Sequence, residues 1–388
     1  MQFEFATAAR IVFGPGTFEQ AGEIAAGFGS RVLLVTGTSP GRAAPVLERL
    51  DGAGLRHEVV TVDGEPTVDV VREGVALAVA AGSDVVVGFG GGSAIDAAKA
   101  IAAMLGNGGD LFDHLEVVGA GRPLERPSVP WIAIPTTAGT GSEVTRNAVL
   151  ASPGHGVKVS LRSPSMLARV ALVDPTLTHS LPPAVTASSG LDALAQLVEP
   201  FTSSRANPFT DAFCREGMPR VARSLEVAFD AALAGTPAPD AREDMSMAAL
   251  LGGLALANSG LGAAHGFAAP IGGRFDAPHG AVCGRLLPSV VAVNVAALRE
   301  RAPGSSALAR YDEIAQTMTS RPDATADDLV AWLDRLVDAL GVPRLSTYGV
   351  GGGDVPDLVA AASIASSMRA NPIPLTPEEL ARALEAAL

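Results

Sequence analysis

The chain has 388 residues, 48% of them apolar, and a formal net charge of −13. That length can bury large cores and divides into about two domains. The acidic excess argues against nucleic acid or an anionic membrane as a partner, because such a surface repels a polyanion. Two cysteines, Cys214 and Cys283, make no disulfide framework, and the opening MQFEFATAARIVFG has neither an apolar signal core nor twin arginines. Every strongly apolar stretch reads as short or broken by glycine. A cytoplasmic chain with no membrane partner is therefore expected.

From the N-terminus, short β-branched runs alternate with helical stretches: RVLLVT at 31–36, HEVVTV at 57–62, DVVVGFG at 84–90 and WIAIP at 131–135. This rhythm predicts βαβ units and a parallel sheet covered by helices on both faces. Between Val144 and Ser160, two runs flank Ser152-Pro153-Gly154-His155-Gly156, which predicts a hairpin. VALVDPTLTHSLPP follows as a last strand and an exit turn. Beyond Pro183 the texture changes to long Ala/Leu-rich segments. Ala241 to Asn258 and Asp327 to Leu340 carry apolar residues at i, i+3, i+4 and i+7, as packed helices require. The expected division is an α/β domain at 1–183 and an all-α domain at 184–388.

Two loops leave the carboxyl ends of the expected strands, where open α/β sheets bind ligands. DVVVGFG runs into Gly90, Gly91, Gly92 and Ser93 ahead of a helix from Ala94. Glycine lets backbone N–H groups approach a phosphate closely, Ser93 suits a helix cap, and the helix dipole faces the anion. Asp96 is placed to accept from loop N–H groups or a ligand hydroxyl, or to complement the dipole. The spacing is neither GxGxxG nor a Walker A motif. The second loop, PTTAGTGSEVT from Pro135 to Thr145, presents hydroxyls and glycines directly after WIAI.

Asp192 and Gln196 lie one helical turn apart and share a face. His265 and His279 offer two imidazoles, so four side chains of metal-ligand type can converge. An unbroken helix would hold these histidines roughly 21 Å apart. The chain between them must fold back, and Pro270, Gly272, Gly273 and Pro278 are the residues expected at a helix end and a tight turn. Cys283, in the apolar run that follows, reads as a packed thiol.

Taken in order, GGGSAIDAAKA, PTTAGTGSEVT, VDPTLT, GLDALAQ and HGFAAPIGGRFDAPHG resemble the iron-containing alcohol dehydrogenase family, and FGPGTFEQ and MRANPIPLTPEEL extend the likeness to nearly the whole chain. The resemblance implies an N-terminal dinucleotide-binding parallel-sheet domain and a C-terminal helical metal and substrate domain, the fold shared with dehydroquinate synthases. It also implies a homodimer, and NAD(P)-linked interconversion of an alcohol and a carbonyl compound. Gly90, Gly91, Gly92 and Ser93 match its diphosphate loop, and Thr137, Thr140, Ser142 and Thr145 its second nucleotide loop. Lys158 falls where a lysine stands near the nicotinamide ribose. Asp192, His265 and His279 match three metal ligands. The fourth, usually histidine, is Gln196, whose amide is a weaker donor than imidazole. Ala269 replaces a further family histidine that is a candidate proton carrier.

After the first strand come Gly37, Thr38 and Ser39, where many NAD-preferring members carry an acidic residue. Without that carboxylate a 2′-phosphate is not repelled, so NADP is expected ahead of NAD, with Arg42 as a further contact. The expected chemistry is hydride transfer to or from an aldehyde or ketone, with Fe²⁺ or Zn²⁺ polarising its oxygen. His265, His279 and Lys158 are the candidate catalytic groups. Arg162 and Arg274 either meet an acidic substrate tail or form ordinary ion pairs. The alternatives are a metal-independent enzyme similar to maleylacetate reductases, acting on an oxo acid, and a nonredox relative or silent binder on the same scaffold.

Overall fold

The computed structural model describes residues 2–388. Two compact units emerge. A sheet unit takes Ala6–Thr137 and Gly141–Thr178, and a helical unit takes residues 2–5, Ala138–Thr140 and His179–Leu388. The change-over at His179 falls just ahead of Pro183. The first residues join the helical unit because Phe3 and Phe5 meet Phe209 edge-on, with ring centroids 5.2 and 5.6 Å apart.

The sheet unit holds β1 (Ile11–Phe13), β2 (Arg31–Gly37), β3 (Arg56–Val62), β4 (Val85–Gly90), β5 (Trp131–Pro135), β6 (Asn147–Ser152), β7 (Val157–Arg162) and β8 (Val170–Val173). Six of them form one parallel sheet in the order β1-β8-β5-β4-β2-β3. Strands β4, β5 and β8 are buried at every position, as expected of strands covered on both faces, whereas the edge strand β3 exposes four of its seven residues. Helices α1 (Ala21–Ala26), α2 (Pro40–Gly52), α3 (Val68–Ala81) and α4 (Gly92–Asn107) complete the unit. The hairpin is β6 with β7, antiparallel, joined through Pro153 to Gly156.

The helical unit runs α5 (Pro183–Thr202), α6 (Pro208–Ala234), α7 (Pro239–Ser259), α8 (Ala263–Arg274), α9 (His279–Arg301), α10 (Ser306–Thr319), α11 (Ala326–Ala339), α12 (Val355–Ile364) and α13 (Pro377–Ala387). The axis bends by 98° between α7 and α8. The expected helix end and turn are there: α8 ends at Arg274, directly after Gly273, and residues 275–278 make the reversal, with Pro278 ahead of α9 and Pro270 inside the helix. Burial of Phe267 and Ile271 on one face of α8 outweighs the local breakers.

Contrary to the sequence reading, one helix among the described residues, α9, is by itself long and apolar enough to cross a membrane. Its most apolar window is 72% buried within the protein, so its apolar surface serves the core. It packs on α5 through two glycines. A Cβ on Gly280 would stand 2.2 Å from the Ser188 carbonyl oxygen, and one on Gly284 would stand 2.6 Å from Leu191 Cδ1. Because the Ser188 obstacle is backbone, Gly280→Ala must push the helices apart. We expect a loss of about 1–3 kcal/mol, read as a lower denaturant midpoint; an unchanged midpoint contradicts the packing described.

Candidate active site in the helical unit

Helix α5 places Asp192, Gln196 and Glu199 on one buried face, a turn or less between neighbours. Helix α8 brings His265 and the start of α9 brings His279, their ring centroids 5.5 Å apart, so the chain does fold back between them. His265 Nε2 stands 3.3 Å from Asp192 Oδ1 and His279 Nε2 stands 3.7 Å from the same oxygen. Gln196 Nε2 donates to Asp192 Oδ2 at 2.9 Å. Asp192 and His265 are buried; the His279 side chain is 40% exposed and opens the cluster outward.

Three buried atoms here lack a hydrogen-bond partner: Asp192 Oδ1, Gln196 Oε1 and His265 Nε2. An unpaired buried polar group costs about 1–3 kcal/mol, and each of these is a lone-pair donor once the imidazole carries its proton on Nδ1. A cation shared among them would satisfy all three. Electrostatics agrees. Burial penalises the Asp192 carboxylate, yet the imidazoles and the Gln196 amide together hold it below the usual carboxylate range. Burial lowers the His265 imidazole, but the Cys283 thiolate, Glu199 and Asp192 outweigh that and raise it well above its ordinary value. The Cys283 thiolate raises His279 against the cost of burial, and Asp192 raises it further. The cluster therefore attracts positive charge, and its residues fit a divalent ion.

Two participants escaped sequence reading. Glu199 Oε2 accepts from His265 Nδ1 at 2.6 Å, while its Oε1 accepts from the backbone N–H of Ala264 at 2.7 Å. It thus caps α8 and fixes the histidine, the arrangement typical behind metal-bound imidazole. Gly262 makes room, since a Cβ there would lie 2.8 Å from Glu199 Oε1. The signal was a glutamate two turns after Asp192 in an otherwise apolar helix. The second is Cys283, whose Sγ lies 3.6 Å from His279 Nε2. With Asp192, His265 and His279 it completes a set of donor atoms all within 4.8 Å of one another. Burial opposes its ionisation, but the two imidazoles prevail and hold the thiol below its usual range. Its spacing of four from His279 was readable. Ala269 is exposed one turn after His265 and brings no titratable group.

In the sheet unit, Gly90 ends β4 with φ of 155°, and α4 starts directly after Gly91. A Cβ on Gly90 would be 2.8 Å from Ala94 Cβ, so glycine is required for the helix to start so close. Gly92 and Ser93 form the first turn of α4, whose N–H groups have no partner within the helix. Gly91 lies against Thr137, and Thr136 N–H donates to the Gly90 carbonyl at 2.8 Å, so the two loops adjoin. Gly37 ends β2 beside Gly90, followed by the exposed Thr38 and Ser39. Thr140 belongs to the short segment that clusters with the helical unit, where Gly139 lies against Ser189.

Other residues expected to meet a ligand also make bonds within the protein. Buried Lys99 donates from Nζ to Ser142 Oγ and Thr145 Oγ1, both at 2.9 Å, and to the Asn147 carbonyl at 2.7 Å. Asp96 pairs with Lys99 at 3.3 Å, accepts from Ser142 Oγ, and accepts from Val149 N–H at 2.9 Å. Asp96 is thus a strut between α4 and the hairpin, where the sequence suggested a loop or ligand contact. Lys158 sits on β7 with Nζ 3.0 Å from Glu65 Oε1. Arg162 pairs with Glu116 at 3.7 Å, and Arg274 with Asp354 at 3.2 Å, as ordinary ion pairs.

Beside Lys99, burial pushes the Glu143 carboxyl up to about 7. A carboxyl raised in the folded state binds more protons there than when unfolded, so stability falls as pH rises from 4.5 to about 7. Glu143→Gln should remove that decline, the gap between variant and wild type growing to about 3 kcal/mol by pH 8. Denaturant titrations across this range check it, and parallel profiles contradict it.

Comparison with known proteins gives one answer for both units. Residues 8–175 match the model for iron-containing alcohol dehydrogenase, and residues 186–388 match the C-terminal model of the Fe-containing alcohol dehydrogenase family. The chain is 34% identical to a 1,3-propanediol dehydrogenase from Klebsiella pneumoniae, over 95% of this chain and 94% of that one. It is also 34% identical to a sulfoacetaldehyde reductase from Bilophila wadsworthia, over 92% and 91% respectively. The crystal structure of a 1,3-propanediol oxidoreductase superposes with a TM-score of 0.90 at 32% identity, covering both chains completely. With the parallel sheet, the helical unit and the cation-seeking cluster in place, the chain belongs to the iron-containing alcohol dehydrogenase family.

Proposed function

We propose that this alcohol dehydrogenase interconverts a small aldehyde or ketone and its alcohol using NADP(H), with NAD(H) second, assisted by one divalent ion held in the helical unit. The observation that carries the reading is the buried, unpartnered set of Asp192 Oδ1, Gln196 Oε1 and His265 Nε2 beside the half-buried His279. Asp192, His265 and His279 would hold the ion, with Gln196 Oε1 as a further donor. When bound, Zn²⁺ or Fe²⁺ supplies an electrophile for the carbonyl oxygen, and the coenzyme supplies hydride.

The protein's own groups prepare this chemistry. Glu199 accepts a hydrogen bond from His265 Nδ1–H, which keeps the proton there and leaves the Nε2 lone pair facing Asp192. His279 is the imidazole of the cluster in touch with solvent; its Nε2 would face the ion, so Nδ1 is the ring nitrogen left to carry a proton. In the sheet unit, backbone N–H groups of Gly91, Gly92 and Ser93 at the start of α4 suit the diphosphate. Gly37, Thr38 and Ser39 offer no carboxylate to repel a 2′-phosphate, which supports NADP. Thr137, Thr140 and Lys158 are assigned to the nucleotide on the family resemblance, Lys158 by exchanging Glu65 for a ribose hydroxyl. A homodimer in a reducing cytoplasm belongs to the same proposal, and the two free cysteines suit that compartment.

The test is NADPH oxidation with short polar aldehydes, including those of the relatives named above, before and after chelation. We expect turnover that chelator abolishes and Fe²⁺ or Zn²⁺ restores. Chelator-insensitive turnover would instead support the metal-independent reading, and tight nucleotide binding without turnover a silent binder. His265→Ala should reduce metal affinity by at least roughly 10–100-fold, the loss expected for a mere outer-shell partner, and reduce the rate with it. Full activity at unchanged metal content contradicts its role.

A further inference from the structure

We propose that the Cys283 thiolate binds the ion directly, so that this chain grips it through Asp192, His265, His279 and Cys283. The proposal rests on the metal-assisted reading above and stands whether or not the Gln196 amide also reaches the ion. His279 and Cys283 are one turn apart on α9 and share a face. Cys283 is completely buried, and its Sγ stands 3.6 Å from His279 Nε2. The independent sign of a ligand is the pair of unpartnered atoms next to it: Asp192 Oδ1 and His265 Nε2, on residues only 1% and 5% exposed.

The separations match a coordination shell. Bond lengths of about 2.1 Å to nitrogen and oxygen and about 2.3 Å to sulfur set tetrahedral edges of about 3.4 Å for N–O and about 3.6 Å for N–S. The corresponding gaps are 3.3 Å from His265 Nε2 to Asp192 Oδ1, 3.7 Å from His279 Nε2 to that oxygen, and 3.6 Å from Cys283 Sγ to His279 Nε2. Direct hydrogen bonds of neutral N and O groups are shorter, near 2.9 Å. The other thiol, Cys214, is also fully buried but lies near Asp211, Arg215 and Arg310, with no imidazole beside it. A thiolate is softer than the Gln196 amide and favours Zn²⁺ or Co²⁺ over harder ions such as Mn²⁺ or Mg²⁺.

Cobalt reports the ligand independently of turnover. Metal-free protein loaded with Co²⁺ should show the near-ultraviolet thiolate-to-cobalt charge-transfer band together with visible ligand-field bands. Cys283→Ser should lose the charge-transfer band and bind Co²⁺ at least roughly 10–100-fold more weakly, by comparison with the loss of an outer-shell partner. Cobalt bound by the wild type without that band, or the band surviving in Cys283→Ser, overturns the proposal and leaves metal assistance standing. No cobalt bound by wild type overturns both. If the variant fails to fold, X-ray absorption of zinc-loaded wild type decides. A sulfur scatterer at about 2.3 Å is expected, and a shell of nitrogen and oxygen alone rejects the assignment.

Discussion

Glu199 is the side chain on which the helical unit's chemistry hangs. One of its oxygens satisfies the N-terminus of α8 and the other holds His265. Burying a carboxylate is costly unless it is hydrogen-bonded and paired, and here a helix terminus and an imidazole do both. The consequence is geometric. With Nδ1 occupied, His265 turns Nε2 toward Asp192, the second buried carboxylate of α5. Two carboxylates and a thiol then face two imidazoles, a balance that calls for a cation.

Helix packing delivers the remaining groups. Glycines at 280 and 284 let α9 lie directly on α5, which sets His279 and Cys283 beside Asp192. The bend between α7 and α8 sets His265 from the other side. The sheet unit builds its polar loop differently. There Lys99, buried with Asp96, Ser142 and Thr145, clamps α4 to the second loop. Burial depresses the lysine's proton affinity, while the Asp96 carboxylate counters that loss. The Thr136 N–H to Gly90 carbonyl bond ties the two loops together beside Gly91.

Much of this was legible in the sequence. RVLLVT, HEVVTV, DVVVGFG and WIAIP became strands β2 to β5 within a residue of their expected limits, because short β-branched runs bounded by turn residues favour strands over helices. The hairpin and helices α7 and α11 followed from turn residues and helical periodicity. Strand order was not legible, since β1 and β8 pair across most of the sheet unit's sequence through contacts that local patterns do not encode. The end of α8 was legible to within a residue from Gly273 and Pro278, although Pro270 lies inside the helix, where tertiary burial overrode it. Asp192, Gln196, His265 and His279 were legible by spacing. Glu199 was missed because a glutamate in a helix reads as a solvated face, and Cys283 because a cysteine in an apolar run reads as core. The sequence reading of Asp96, Ser142 and Thr145 did not foresee Lys99 among them, whose burial only the fold reveals.

Everything proposed for the helical unit requires a metal ion to sit in the cluster around Asp192 and His265. Crystals soaked with Zn²⁺ and measured across the zinc absorption edge test it most directly. The expected result is an anomalous peak at about 2.0–2.2 Å from Asp192 Oδ1 and His265 Nε2, on the side of His265 opposite Glu199. A map without a peak among these residues, with the two imidazoles and Asp192 bonded to water or to each other instead, would contradict it.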